Sequence, residues 1–209
     1  MANDQNAHHR RSIRLPGYDY AQAGAYFVTL CTQGRECLFG DVTRDGDVTL
    51  NDAGQMIERW WHELDRKFPN VFTDAFVIMP NHVHGIIAIV ARDAAHADRG
   101  AHADRGAHAG APLPDTPHIV GADLCVGPVS VPEIVQWFKT MTTNEYIRGV
   151  KNAGWLPFPG RLWQRNYYEH IIRDDAGLDR IRRYIDGNPA GWALDRDNPA
   201  TWTPTGKVP

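Results

Sequence analysis

Nine consecutive residues, Met79-Pro80-Asn81-His82-Val83-His84-Gly85-Ile86-Ile87, constrain this chain more than any other stretch. They join two apolar runs, 71–79 and 82–90, through a two-residue Pro80-Asn81 joint, so the runs read as consecutive strands. Side chains in a strand alternate faces. His82 and His84 therefore point one way and Val83 the other, into a core. Two neutral imidazoles on one rigid strand can clamp a divalent cation. The same spacing also describes the polar face of a half-buried strand, and His-x-His alone does not separate the two.

The remaining pattern sets the fold class. Residues 25–32 are β-branched and aromatic between Gly24 and Gly34, a strand. Residues 38–42 and 48–50 flank Asp45-Gly46, a hairpin signal. Asn51 can cap a helix carrying Ala53, Met56, Ile57, Trp60, Trp61, Leu64 and Phe68 at helical spacing, ending near Pro69-Asn70. Ser130-Val131-Pro132-Glu133 is a capping box ahead of Ile134, Val135, Phe138, Met141 and Ile147. A Gly/Pro loop leads to residues 162–172, which read as a strand. Asp174 or Asp175 caps a last helix with Leu178, Ile181, Tyr184 and Ile185 on one stripe, and Pro189 closes it at Asn188. The order strand, hairpin, helix, two strands, helix, strand, helix predicts an α+β fold. Its sheet is antiparallel and ferredoxin-like, with helices mainly on one face and the other face open to a ligand. The histidine pair would project from a central strand.

With 209 residues, 43% of them hydrophobic, the chain supports one domain with a real core. We read a basic arm over 1–20, the domain over 21–192 and a polar, loosely ordered tail over 193–209. Within the domain, residues 92–129 change character: Ala-His-Ala-Asp-Arg-Gly occurs from Ala95 and again from Ala101. His96, His102 and His108 invite a metal reading, but the segment has no apolar face, so we expect a disordered surface loop. The net charge of −3 excludes a global basic field, so any nucleic-acid contact must be local, as at Arg10, Arg11 and Arg14. Cys31, Cys37 and Cys125 form no CxxC pair and are odd in number, which suits reduced thiols. The polar N-terminus and the short apolar run at 85–91 predict a soluble cytoplasmic protein without a membrane span.

A two-histidine clamp leaves a cation under-coordinated. Tyr184 and Asn188, four apart, share one face of the last helix. The Asn188 amide oxygen could complete a metal shell with the Tyr184 hydroxyl beside it. Alternatively, Tyr184 is a core tyrosine and Asn188 only a helix stop. Tyr146, Tyr167 and Tyr168 compete as nucleophiles. On a strand Tyr167 and Tyr168 face opposite ways, and Tyr168 is the runner-up to Tyr184.

Five ordered segments carry a family resemblance: Arg10 through Tyr20, Gly24 through Thr29, Met79 through His84, Trp163 through His170, and Tyr184-Ile185-Asp186-Gly187-Asn188-Pro189. Over residues 10–192, the repeat apart, the chain resembles the REP-associated tyrosine transposases, a branch of the single-tyrosine HUH transposases. The resemblance implies the HUH-type fold. It also implies Mg²⁺ or Mn²⁺ on His82 and His84, Tyr184 as nucleophile and Asn188 as third ligand. Insertion-sequence relatives usually carry Gln at that last position; Asn is a methylene shorter but keeps the amide oxygen. The reaction implied is cleavage and rejoining of single-stranded DNA, the substrate a folded-back extragenic palindrome, the protein a monomer or a homodimer. Phosphate contacts would fall to Arg10, Arg11, Arg14, Lys139 and Arg165, with base stacking on Tyr18 and Trp163. Two rival expectations stand beside this one: a non-catalytic nucleic-acid binder of ferredoxin-like fold, and a zinc hydrolase using His82, His84 and His170.

Overall fold

The computed structural model describes residues 15, 17–91 and 129–201. Arg10, Arg11 and Arg14, the hexapeptide repeat with its three histidines, Cys125 and the last eight residues lie outside them.

The strands are β1 (Gly24–Cys31), β2 (Gly40–Val42), β3 (Val48–Leu50), β4 (Val71–Met79), β5 (His82–Ile89) and β6 (Tyr168–Ile172). The helices are α1 (Asp52–Lys67), α2 (Val131–Asn152) and α3 (Asp175–Gly187). Four strands form one antiparallel sheet in the order β4-β5-β1-β6, and β2 pairs β3 separately. With that hairpin set aside, the chain runs β1-α1-β4-β5-α2-β6, and β1 lies between β5 and β6. This is the split βαβ arrangement of a ferredoxin-like sheet, as the order of sequence signals predicts.

Alternation decides what covers each face. Tyr26, Val28, Leu30, Val83, Ile87 and Ile89 point to one side and form the main core with α1 and α2. The cap of α1 is as expected: Asn51 Oδ1 accepts from the Gly54 N–H at 2.9 Å. Its Trp61 is fully buried, stacked on Phe76 at 5.8 Å and edge-on to Phe138 at 5.6 Å. Beneath the indole lies Gly85, where a Cβ would come within 2.2 Å of Trp61 Cζ2. For α2, the Ser130 N–H donates to Glu133 Oε2 at 2.8 Å.

The opposite face carries a smaller apolar cluster of Phe27, Ile86, Ile172 and Ile185, with Leu178 and Ile181 packed on it. Two features seat α3 there. Asp174 Oδ1 caps it, accepting from the Gly177 N–H at 2.6 Å. Arg182 forks onto Asp74, Nε to Oδ1 at 3.0 Å and Nη2 to Oδ2 at 2.5 Å, at the bulge between Thr73 and Phe76 of β4. The face expected to stay open is thus partly roofed by the helix that carries Tyr184.

Three expectations need revision. The strand read over 162–172 shrinks to β6, because Trp163 is drawn into the core and makes only an isolated bridge to Thr32. Its indole N–H donates to Thr142 Oγ1 at 2.9 Å, and Lys139 Nζ donates to the carbonyls of Gln164 and Asn166. The chain after Trp192 is tied down as far as Thr201: Asp197 pairs with Arg35 at 2.8 Å, and Asn198 Nδ2 donates to the Trp192 carbonyl at 2.9 Å. Tyr20, read as part of the arm, belongs to the main core, its ring 4.9 Å from that of Tyr18. Among the described residues no helix is long and apolar enough to cross a membrane.

Candidate active site

The pairing register places Cys31 opposite His82 and Thr29 opposite His84, all on the face that α3 covers. Both imidazoles are buried, at 0% and 4% exposure, with ring centroids 4.5 Å apart. Each is held through Nδ1: His82 to Asn81 Oδ1 at 2.8 Å, His84 to Thr29 Oγ1 at 2.8 Å. His84 is also stacked on Phe27 at 5.4 Å. The Nε2 atoms are therefore left for whatever faces the strand.

What faces it is the end of α3. The Tyr184 hydroxyl lies 3.3 Å from His84 Nε2, and the two rings are 5.2 Å apart. Tyr184 is half exposed, so it is not the core tyrosine that its place on the apolar stripe allowed. Asn188 is buried, and its carboxamide favours both a charged His82 and an ionised Tyr184. No hydrogen bond of normal geometry reaches its Oδ1, nor Nε2 of His82. Buried polar atoms are almost always satisfied. These two atoms sit on neighbouring side chains, and an electropositive group between them would satisfy both.

Electrostatics point the same way. Burial, with the His82 charge second, pushes His84 down to about 3, and burial likewise lowers His82 against the pull of Asp195 and Asp197. Both rings are neutral at pH 7, the form that ligates metals. Burial and Asp195 raise Tyr184, so its phenol is protonated. A histidine depressed in the folded state binds its proton first in the unfolded chain, so stability is full above about pH 6.5 and falls as pH drops toward 3. We expect urea unfolding to show this loss below about pH 6.5. His84 supplies up to about 1.4 kcal/mol per pH unit, and His84→Gln should flatten the slope by that amount; an unchanged slope would exclude a buried neutral His84.

A divalent cation fits this cradle. Two imidazole nitrogens and an amide oxygen are all neutral donors, so the set holds a cation without cancelling its charge, leaving that to an anionic ligand such as a phosphate oxygen. Among the described residues no group of three His, Cys, Asp or Glu converges on a metal. His170 on β6 is exposed and stands opposite Phe27, on the same sheet face as the histidine pair, but it is part of no such group. Burial pushes the Cys31 thiol up to about 11, so it is protonated at pH 7.

The other expected residues disperse. Trp163 is core, and Lys139 is spent on loop carbonyls on the α2 side. Tyr18 packs with Tyr20 and Tyr26 at the far end of β1, its hydroxyl 3.3 Å from that of Tyr26. Arg165 is exposed. Tyr146 is buried and donates to the Leu156 carbonyl at 2.9 Å. Tyr168 is exposed and lies edge-on to Phe27 at 6.2 Å, on the same face as the histidines. Sequence reading missed Thr29 and Asn81. Thr29 is the polar residue between Phe27 and Cys31 on a face that alternation already marks, and Asn81 touches His82 in sequence. Nothing in the sequence pointed to Arg35 or Asp197.

No family model matches the chain. An uncharacterised protein of Haemophilus influenzae is 38% identical over 198 residues, 94% of this chain and 98% of its own length. Among solved structures, a REP-associated tyrosine transposase bound to a REP hairpin aligns with 83% of this chain and 70% of its own, at 19% identity and TM-score 0.44. A Deinococcus radiodurans protein assigned to the transposases aligns with 83% of this chain and 95% of its own, at 14% identity and TM-score 0.40. Neither alignment gives a role to any residue here. Identity of 38% across nearly the whole of both sequences is common descent, and the chain belongs to the family of that Haemophilus influenzae protein.

Proposed function

We propose that this chain cuts and rejoins single-stranded DNA, with Tyr184 as nucleophile and His82, His84 and Asn188 holding Mg²⁺ or Mn²⁺. The observation that carries the reading is the pair of buried, unpartnered acceptors, His82 Nε2 and Asn188 Oδ1, beside a half-exposed phenol 3.3 Å from His84 Nε2. A binding module has no use for unsatisfied buried acceptors, which cost about 1–3 kcal/mol each. The motif resemblance adds the substrate class, a single-stranded or hairpin DNA of the extragenic palindromic kind.

The Tyr184 oxygen attacks the phosphorus of a phosphodiester. A bond forms between them while the bond from phosphorus to the 3′ oxygen breaks. The phenol gives up its proton, the departing oxygen gains one, and the products are a free 3′-hydroxyl and a 5′-phosphate esterified to Tyr184. The ester conserves the bond, so rejoining needs no nucleotide, consistent with the lack of a GxxxxGK[ST] loop in the sequence. A bound cation would supply Lewis acidity at the phosphate. The chain's own work is positional: β5 and α3 hold phenol and ligands within one turn of each other, and Phe27 fixes the ring planes. A protonated phenol is a weak nucleophile, and the raised Tyr184 makes that worse. The rate should therefore climb with pH above 7.

The test uses labelled single-stranded hairpin DNA with Mn²⁺. We expect a covalent adduct that survives denaturing gels, disappears with chelator and falls about 100-fold or more in His82→Ala. An adduct indifferent to chelator would reject the metal role. DNA retained but never cut with any divalent cation would favour a non-catalytic binder.

A further inference from the structure

We propose that Asn81 is a positioning residue: its carboxamide, fixed by two backbone carbonyls, holds His82 with its proton on Nδ1 and so leaves Nε2 bare for a cation. The inference rests on the proposed metal site and names what prepares it.

The logic is a count of donors and acceptors. Asn81 has two N–H donors on Nδ2. One goes to the Arg35 carbonyl at 2.9 Å, the other to the Asp197 carbonyl at 2.6 Å. Turning the amide over would aim its oxygen at two carbonyl oxygens, so the orientation is set. Oδ1 then faces His82 Nδ1 at 2.8 Å, and an amide oxygen only accepts. Nδ1 must carry the hydrogen. In a neutral ring that leaves Nε2 a lone pair, and it is this atom that has no partner.

The two carbonyls are themselves pinned. Arg35 sits in left-handed backbone, φ 58°, rare for a residue with a Cβ. Its side chain pairs with Asp197 at 2.8 Å. The turn behind Asn81 is clamped as well, the Pro80 carbonyl accepting from Phe39 N–H at 2.9 Å and the Asn81 carbonyl from Thr32 N–H at 2.8 Å. Three segments remote in sequence therefore converge to fix one amide. His84 has no such lock. Its Nδ1 partner is the Thr29 hydroxyl, which can donate or accept, so its tautomer is open to exchange with Tyr184. One ligand is set in advance and the other adapts.

The test reads ring nitrogens by long-range ¹H–¹⁵N correlation on the full, metal-free chain without DNA, then titrates Mn²⁺ alone. In the native protein His82 should show hydrogen on Nδ1 and a bare Nε2. Asn81→Ala should give mixed His82 tautomers and about 10-fold weaker Mn²⁺ binding. Thr29→Val should disturb His84 and leave His82 alone. Hydrogen on Nε2 in the native ring, or native ring signals and Mn²⁺ affinity in Asn81→Ala, would overturn the inference. If Asn81→Ala does not fold, the native spectrum decides. Since no DNA is present, a failed nicking assay would count against the reaction without touching this result.

Discussion

Tyr184→Phe is expected to abolish the covalent DNA adduct while leaving the fold intact. The change removes one oxygen from a side chain that is 50% exposed. The Phe ring keeps the edge-on contact with Phe27 at 5.9 Å and the contact with His84 at 5.2 Å. Surface changes of this kind shift stability by about 0.5 kcal/mol or less. Loss of a nucleophile is of another order, roughly 10³-fold or more in rate. The two readouts, adduct yield on a denaturing gel and the urea midpoint, should therefore separate completely. Tyr168→Phe is the control: Tyr168 is on the same face, but its strand is at the sheet edge, with β1 between it and the histidine strand β5. Full adduct in Tyr184→Phe, lost in Tyr168→Phe, would move the nucleophile to β6 and dismantle the roles given to α3.

Local periodicity made most of this scaffold legible. Alternation put His82 and His84 on one face, and the i, i+4 spacing put Tyr184 beside Asn188; side-chain direction in regular elements follows from backbone geometry alone. Caps read equally well, at Asn51 and at Asp174, since the acceptor and the amide it serves are three residues apart. Whatever depended on packing between remote segments did not read. Trp163 looks in sequence like an aromatic available for stacking, yet it fills a gap between Phe39 and Phe138 at 5.3 and 6.0 Å. Lys139 looks like a phosphate contact and instead holds two loop carbonyls. The Arg35–Asp197 clamp joins residues 162 positions apart with no local pattern at either end.

Trp61 and Gly85 should show the largest stability effects and a strong dependence on each other. Trp61→Ala empties a fully buried site between Phe76 and Phe138 and should cost about 3–5 kcal/mol, a large share of the about 5–15 kcal/mol that holds such a domain together. Gly85→Ala fails for the converse reason. Its methyl would meet Trp61 at 2.2 Å from Cζ2 and 2.6 Å from Cη2, and the indole, stacked on one side and edge-packed on another, has nowhere to go. Overpacking of this sort costs about 1–3 kcal/mol. It also pushes on β5 next to His84, so Mn²⁺ affinity should drop along with stability. In the double variant the methyl enters the space the indole vacated, and the combined loss should fall short of the sum by about 1 kcal/mol or more. Urea unfolding of the four proteins measures it. Additivity within about 0.5 kcal/mol would mean that the indole does not lie over Gly85, and with it would go the account of why position 85, between the histidine pair and the rest of its strand, carries no side chain.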